Sequence, residues 1–242
     1  MNKEFKRVEK EIFDCEYFKE LLRSDYEEGK NDLAVVKTTY SKLKKRKCLD
    51  DDPFMIELKT QFSALAAAQN AANQEKFDAN NPASVAKKRY DAGDYTIAIT
   101  KYQEAIDQAT DAAKKAKYHF RIASIQGRKL KQYAKARASA RTAAKLRPNW
   151  GRPFMLIGDL YAMSSRRCGD DWNQRLAVLA AIEKYSYAKS IDPEVASEAG
   201  SRIAKYNRAR PEKAEGFSRG ISEGSKQKVG CWIGETVTVR FK

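Results

Sequence analysis

The chain has 242 residues, of which 42% are hydrophobic and 33% are charged. Its net charge is +15, and most of this charge arises from residues 112–167, which contain 15 basic residues and one acidic residue. This length suffices for one repeat array or two small domains, and no apolar run reaches the 18 residues that indicate a membrane-spanning helix. The first ten residues are strongly charged and no apolar stretch follows them, so we expect no signal peptide in this chain.

Three helices are predicted at the start of the chain. Residues 3–29 and 33–47 form the first two, with Gly29 expected as the C-cap of the first and Asp32 as the N-cap of the second. A third helix begins at Pro53 and continues to Asn80, so residues 1–78 are predicted to form an N-terminal helical domain. The first helix is recognised by the helical spacing of its apolar side chains, which are Phe5, Val8, Ile12, Phe13, Tyr17, Leu21 and Leu22.

The four cysteines are spaced in a way that permits two disulfides. Cys15 lies 14 residues before the predicted turn at 29–32 and Cys48 lies 16 residues after it, so the two reach the same level of an antiparallel hairpin and are expected to pair. Cys168 and Cys231 are left as a second pair. Two disulfides indicate an oxidising compartment, and the alternative is four reduced thiols in a cytosolic protein. None of the cysteines forms a CxxC pair, which argues against a zinc ribbon or a thioredoxin motif.

Three consecutive stretches, residues 79–112, 117–150 and 151–193, repeat one pattern of small and large side chains. Small residues are expected where helices approach closely, and large residues fill the space between them. The small positions are Ala86, Ala98, Ala105, Ala123, Ala136 and Ala143, and the large ones are Tyr95, Tyr102, Phe120 and Tyr133. A repeat of about 34 residues with this pattern resembles the tetratricopeptide repeat, a helical hairpin that stacks into a solenoid. The resemblance implies a protein that binds other proteins.

The third repeat is longer than the first two. Its closing proline is Pro193, so 11 extra residues are inserted, and they are expected to form a loop at 164–174 between the two helices. The loop is either a functional element or a structural clasp held by Cys168. Its adjacent acids, Asp170 and Asp171, are expected to cap the next helix rather than to bind a metal.

The C-terminal end changes character after a predicted capping helix at 194–207. Residues 236–241 alternate with a period of two and are rich in β-branched side chains, which predicts a strand. With Gly234 and Glu235 as the turn, residues 228–233 are expected to pair with 236–241 in a small hairpin, which a Cys168–Cys231 bond would hold on the helices. The predicted architecture is therefore all-α: a tetratricopeptide-type solenoid over 79–207, followed by a C-terminal segment over 208–242 that contains a β-hairpin.

Three runs near this end resemble the C-terminal region of tetratricopeptide repeat proteins from Bacteroidota: RPNWGRPFMLIGDLYA from Arg147, CGDDWNQRLAVLAAIEKY from Cys168, and VGCWIGETVTVR from Val229. Those proteins are typically longer, and most look exported. The resemblance implies that this chain is the C-terminal fragment of a non-catalytic protein, and it favours oxidised cysteines. A periplasmic or secreted location is expected if a signal peptide precedes the fragment, and a cytoplasmic one otherwise.

The first helices of stacked tetratricopeptide-like repeats are expected to line a groove, and the partner is expected to be an acidic peptide or protein. The groove residues are predicted to be Lys87, Tyr90, Arg121, Arg128 and Lys129. The carboxylate clamp of some tetratricopeptide domains is not supported, because Ala83, Lys87 and Ile122 do not match its lysine and asparagine positions, and Arg152 alone offers a suitable charge.

A second hypothesis rests on the basic segment 112–167. Four basic residues of one predicted helix, of which Arg137, Arg141 and Lys145 are spaced by four along one face, form a basic stripe that would attract nucleic acid, an anionic glycan or a lipid headgroup. We define the basic stripe as Lys135, Arg137, Arg141 and Lys145. The alternative to a binding role is that these basic residues form an ordinary solvent-exposed helix face.

Catalytic chemistry is not expected. The one histidine, His119, lies in a repeat helix between Tyr118 and Phe120, where a packed or solvent-facing ring is typical. The sequence has no HExxH motif and no glycine-rich phosphate loop after a strand. We therefore predict no enzyme activity, no cofactor and no metal site.

Overall fold

The computed structural model describes residues 13–242. Over these residues it is all-α, with eleven α-helices and one small two-stranded antiparallel sheet. The chain divides into two compact units, residues 1–80 and 81–242, which are described separately. The finer division of the chain at residues 79 and 208 stays a prediction.

The described part of unit 1, residues 13–80, contains three helices: α1 (Cys15–Gly29), α2 (Leu33–Lys45) and α3 (Pro53–Asn80). The part of the predicted first helix over 3–12 lies outside the described residues. Asp32 caps α2 as predicted, because its carboxylate accepts from the backbone N–H of Ala34 at 2.7 Å. The core side chains are Leu22, Tyr26, Val36, Leu43, Phe54, Met55 and Leu58. The predicted Cys15–Cys48 disulfide is present and joins the start of α1 to the segment after α2.

The predicted C-cap role of Gly29 is wrong. Gly29 is the last residue of α1, and Lys30 is the cap with an ordinary right-handed backbone. A Cβ atom at position 29 would lie 2.8 Å from the Val35 side chain. The glycine is therefore required by the close approach of α2, and not by a left-handed turn.

Unit 2 begins with four helices: α4 (Pro82–Asp91), α5 (Tyr95–Gln108), α6 (Ala112–Ser124), which continues as one π-helical turn (Ile125–Lys129), and α7 (Tyr133–Leu146). Four more follow: α8 (Arg152–Ser164), α9 (Asp171–Ile191), α10 (Ala196–Asn207) and α11 (Lys213–Ser218). The most extensive helix contacts join α4 to α5, α6 to α7 and α8 to α9. These are the three pairs that the repeat pattern predicts. All six predicted small positions are buried: Ala86, Ala98, Ala105, Ala123, Ala136 and Ala143.

A glycine sets the spacing of the third helix pair. A Cβ atom at Gly158 of α8 would lie 2.5 Å from Cε1 of Tyr185 on α9. No side chain fits at that distance, so the absence of a Cβ atom at this position allows the buried tyrosine ring to pack directly on the α8 backbone.

The inserted segment of the third repeat is more helical than expected. A 3₁₀ turn (Ser165–Arg167) follows α8, and α9 already begins at Asp171, so the predicted loop at 164–174 is reduced to a short connection. The cause is the N-cap, since the Asp170 carboxylate accepts from the N–H of Asn173 at 3.0 Å. The predicted Cys168–Cys231 disulfide is present, which confirms the clasp interpretation of this segment.

The predicted bounds of the C-terminal hairpin are wrong. The strands are β1 (Lys226–Lys228) and β2 (Thr236–Thr238), with Gln227 opposite Val237. Residues 229–235 form a loop because Val229 and Ile233 are buried in the core of α8 and α9. We call residues 226–242 the C-terminal tail.

Candidate functional site

A cavity of about 220 Å³ lies among α4, α5 and α6. Three of the five predicted groove residues meet here, although α4 and α6 are separated by a helix in sequence. The lining residues are Lys87, Tyr90 and Asp91 from α4, Tyr102 from α5, Arg121 and Ser124 from α6, and Ile125 from the π-helical turn. The cavity thus combines two cations, one carboxylate and two phenol rings.

The charges at the mouth of the cavity differ in their availability. Lys87 Nζ lies 2.5 Å from a carboxylate oxygen of Asp91, and this hydrogen bond raises the pKa of Lys87. Arg121 is exposed and makes no ion pair within residues 13–242. Its guanidinium therefore keeps its donors for a ligand, whereas an incoming anion competes with Asp91 for Lys87.

The floor of the cavity is aromatic. Tyr102 is almost fully buried and stacks on Tyr118, with ring centroids 6.0 Å apart. Burial raises the pKa of Tyr102, while the charges of Arg121 and Lys87 act against that shift. The phenol is therefore a neutral hydrogen-bond donor at physiological pH.

Lys129 lies beside the cavity rather than in its wall. Its Nζ is 5.7 Å from the ring centroid of Tyr90 and 5.5 Å from that of Tyr95. These distances are typical of cation–π contacts. They hold the ammonium group next to Tyr90, so the two predicted groove residues Tyr90 and Lys129 are brought together.

Arg128, the remaining predicted groove residue, contacts α8. Its Nη2 donates to Asp159 at 3.0 Å. Asp159 is buried, accepts from the hydroxyl of Tyr185 at 2.9 Å, and also pairs with Arg202 of α10. Arg128 thus helps to neutralise a buried carboxylate, which is costly to leave unpaired. Sequence reasoning missed Asp159, although it is the one acidic residue of the segment 112–167.

The basic stripe is divided by the C-terminal tail. Arg137 Nη1 donates to the carbonyl of Ile233 at 2.6 Å and to the Tyr161 hydroxyl at 3.1 Å. Arg141 Nη2 lies 2.6 Å from Glu235. Lys135 and Lys145 are exposed and make no ion pair in the described part of the chain. Two of the four predicted stripe residues therefore hold the tail.

Glu235 is the centre of this contact. It accepts from the Tyr161 hydroxyl at 2.5 Å and from Lys184 Nζ at 2.7 Å, in addition to Arg141. Burial raises the pKa of Glu235, but hydrogen bonds from Lys184 and Tyr161 and the nearby charges outweigh burial and lower it overall. The sequence identified Glu235 only as a turn residue, because its partners lie far away along the chain.

Trp232 completes the attachment of the tail. Its ring stacks on Tyr133 with a centroid distance of 5.6 Å, and its indole N–H donates to the hydroxyl of Ser164 at 3.0 Å. The guanidinium of Arg137 lies 5.0 Å from the indole ring centroid. The tail is thus held by aromatic, ionic and covalent contacts at once.

Searches for similar proteins give no assignment: no protein-family model matches this chain, and no curated protein matches it. No helix of residues 13–242 is both long and apolar enough to cross a membrane. Within the same residues, no group of three or more histidine, cysteine or acidic side chains is arranged to hold a metal ion.

Burial, with a contribution from Lys115, lowers the pKa of His119, so its imidazole is neutral at pH 7.

Proposed function

We propose that this protein is a tetratricopeptide-like repeat protein that binds an acidic peptide or protein segment in the groove formed by α4 and α6. One observation carries the proposal. Lys87, Tyr90 and Arg121, which sequence reasoning assigned to a groove, line one cavity. The pairing of α4 with α5, α6 with α7 and α8 with α9 supports the repeat assignment.

The chemistry of the cavity suits a carboxylate on an otherwise partly apolar segment. The planar guanidinium of Arg121 matches a carboxylate with two parallel hydrogen bonds. The rings of Tyr90 and Tyr102 offer apolar contact area, and their hydroxyls donate further hydrogen bonds. A metal or cofactor is not part of this proposal.

The compartment is proposed from the cysteines. All four are paired, and disulfides persist in oxidising surroundings. This is more consistent with an extracytoplasmic protein than with a cytosolic one, and we place the protein in the periplasm or outside the cell.

The decisive experiment compares two charge reversals. The probe is a fluorescein-labelled deca-glutamate peptide, titrated with protein at low ionic strength and followed by fluorescence anisotropy. Arg121→Glu should weaken binding at least about tenfold, since it removes the unpaired cation and adds repulsion. The matched control is Lys145→Glu, which makes the same charge change on α7, away from the cavity.

The proposal fails if the wild-type protein does not bind the peptide at low salt, or if the two variants bind it equally. Binding through the basic stripe is the less favoured alternative, because Arg137 and Arg141 are occupied by the tail. In that case Lys145→Glu would weaken binding more than Arg121→Glu.

A further inference from the structure

A second hollow, which we call the cationic cleft, has a volume of about 390 Å³ and shares Arg121 with the cavity described above. Its walls come from α6, the connection between α7 and α8, the first residue of α8, and the 3₁₀ turn at Pro193–Val195. Four cations line it: Lys117, Arg121, Arg147 and Arg152. The acid in its lining is Glu194.

The cations of the cationic cleft are not used in ion pairs within the described part of the chain. Over residues 13–242, none of the four makes an ion pair with a carboxylate. Elsewhere in unit 2 several arginines are used for structure, as with Arg128 on Asp159 and Arg141 on Glu235. Three guanidinium groups around one hollow repel each other, so an anion that enters it is stabilised by all of them.

One of these cations is held in place before any ligand arrives. The guanidinium of Arg147 lies 5.0 Å from the ring centroid of Trp150, and Trp150 in turn packs on Phe120 at 5.1 Å. Trp150 is only 7% exposed, so the stack has a fixed base. A guanidinium stacked on a ring keeps its N–H edge available for hydrogen bonds, and little side-chain entropy remains to be lost on binding.

We infer that the cationic cleft is a second anion subsite for the same acidic peptide, and that the peptide crosses Arg121 to reach it. This inference rests on the proposed function. A ligand that uses both hollows must carry anionic groups at two separated points along one chain. A polypeptide with at least two acidic positions meets that requirement.

The acids at the two hollows favour a polypeptide over a nucleic acid. Asp91 lines the first hollow and Glu194 lines the second. Glu194 is exposed and makes no ion pair in the described residues, so its carboxylate is available to accept hydrogen bonds. A peptide backbone supplies N–H donors to such a carboxylate, whereas a phosphodiester backbone supplies only acceptors and negative charge.

Arg152→Glu is the variant that tests the subsite. Arg152 is the first residue of α8 and is exposed, and an acidic residue at a helix N-terminus is favourable, so the variant should fold, which circular dichroism checks. We expect it to weaken binding of the labelled deca-glutamate peptide by about fivefold or more, because four cations around one hollow become three and a repulsive charge is added. Lys145→Glu should leave binding within about twofold, since Lys145 lies outside both hollows.

The two proposals fail in distinguishable ways. If Arg121→Glu weakens binding and Arg152→Glu behaves like Lys145→Glu, the cationic cleft is not a subsite and the proposed function stands. If neither Arg121→Glu nor Arg152→Glu weakens binding, both proposals are wrong. A labelled DNA duplex is titrated in parallel, and tighter binding of DNA that is lost in Arg152→Glu would overturn the choice of a polypeptide.

Discussion

Replacing both Cys168 and Cys231 by alanine is expected to destabilise unit 2 and leave unit 1 unchanged. The bond joins residues 63 apart in sequence, both within residues 81–242. Without it, the unfolded chain gains conformational freedom, while the contacts of Trp232 and Glu235 with the helices are retained in the folded state. The loss therefore acts mainly through the unfolded state.

The magnitude follows from the length of the closed loop. For a separation of 63 residues, the chain-entropy model gives about 4.3 kcal/mol at 25 °C. The matched control removes Cys15 and Cys48, which are 33 residues apart in unit 1, and the same model gives about 3.7 kcal/mol. Either loss is a large part of the 5–15 kcal/mol that is roughly typical of a folded domain.

Hydrogen exchange followed by mass spectrometry reads the two units separately, which a single melting curve does not. In the Cys168/Cys231 variant, the slowest amides of α8 and α9 should exchange up to about a thousandfold faster, whereas those of α1 and α2 should be unchanged. The Cys15/Cys48 variant should show the reverse. Unchanged protection of α8 and α9, or an equal change in both units in either variant, would refute the reasoning.

Three further predictions concern unit 2. Gly158→Ala should lower the free energy of unfolding by about 1–3 kcal/mol, because the added Cβ overpacks the contact with Tyr185. The control is Gly200→Ala, which has nothing within 4 Å of the added Cβ and should stabilise α10 by up to about 1 kcal/mol. Equal effects of the two variants in thermal unfolding would contradict the packing argument. Arg137→Ala should lose charged hydrogen bonds to two tail carbonyls, which together stabilise the docked tail by about 2 kcal/mol. Hydrogen exchange in the tail should therefore become roughly thirtyfold faster. The control is Lys145→Ala, and an equal effect of that variant would argue against the tail contact. The pKa of Glu235 lies below its ordinary value of 4.5, so its ionised form stabilises the tail above pH 4.5, and this stabilisation is lost as the pH falls through the lowered pKa. Hydrogen exchange of the tail in Glu235→Gln should therefore lack this dependence on acid. If the acid dependence persists in that variant, Glu235 is not the titrating group.

Local patterns in the sequence were enough to predict much of this fold. The spacing of the small residues predicted which alanines are buried, because each helix packs with the face that its periodicity defines. Asp32 and Asp170 were recognised as caps, since capping depends on residues within one turn. The Cys15–Cys48 pair followed from counting residues on either side of one turn. The groove residues Lys87, Tyr90 and Arg121 were chosen from the repeat pattern, and they line one cavity.

Tertiary packing decided which charges are available to a ligand. The basic stripe looked uniform in the sequence, yet Arg137 and Arg141 are used to hold a tail that lies 94 to 96 residues further along the chain. The same docking buries Val229 and Ile233 and moves the first strand to Lys226–Lys228. Helix periodicity fixes which face of a helix a side chain occupies, but not which distant segment covers that face. The sequence by itself therefore determined most of the helices and which of their faces are buried, and only the tertiary structure separated the arginines that hold the tail or a buried carboxylate from those that make no ion pair in the described residues.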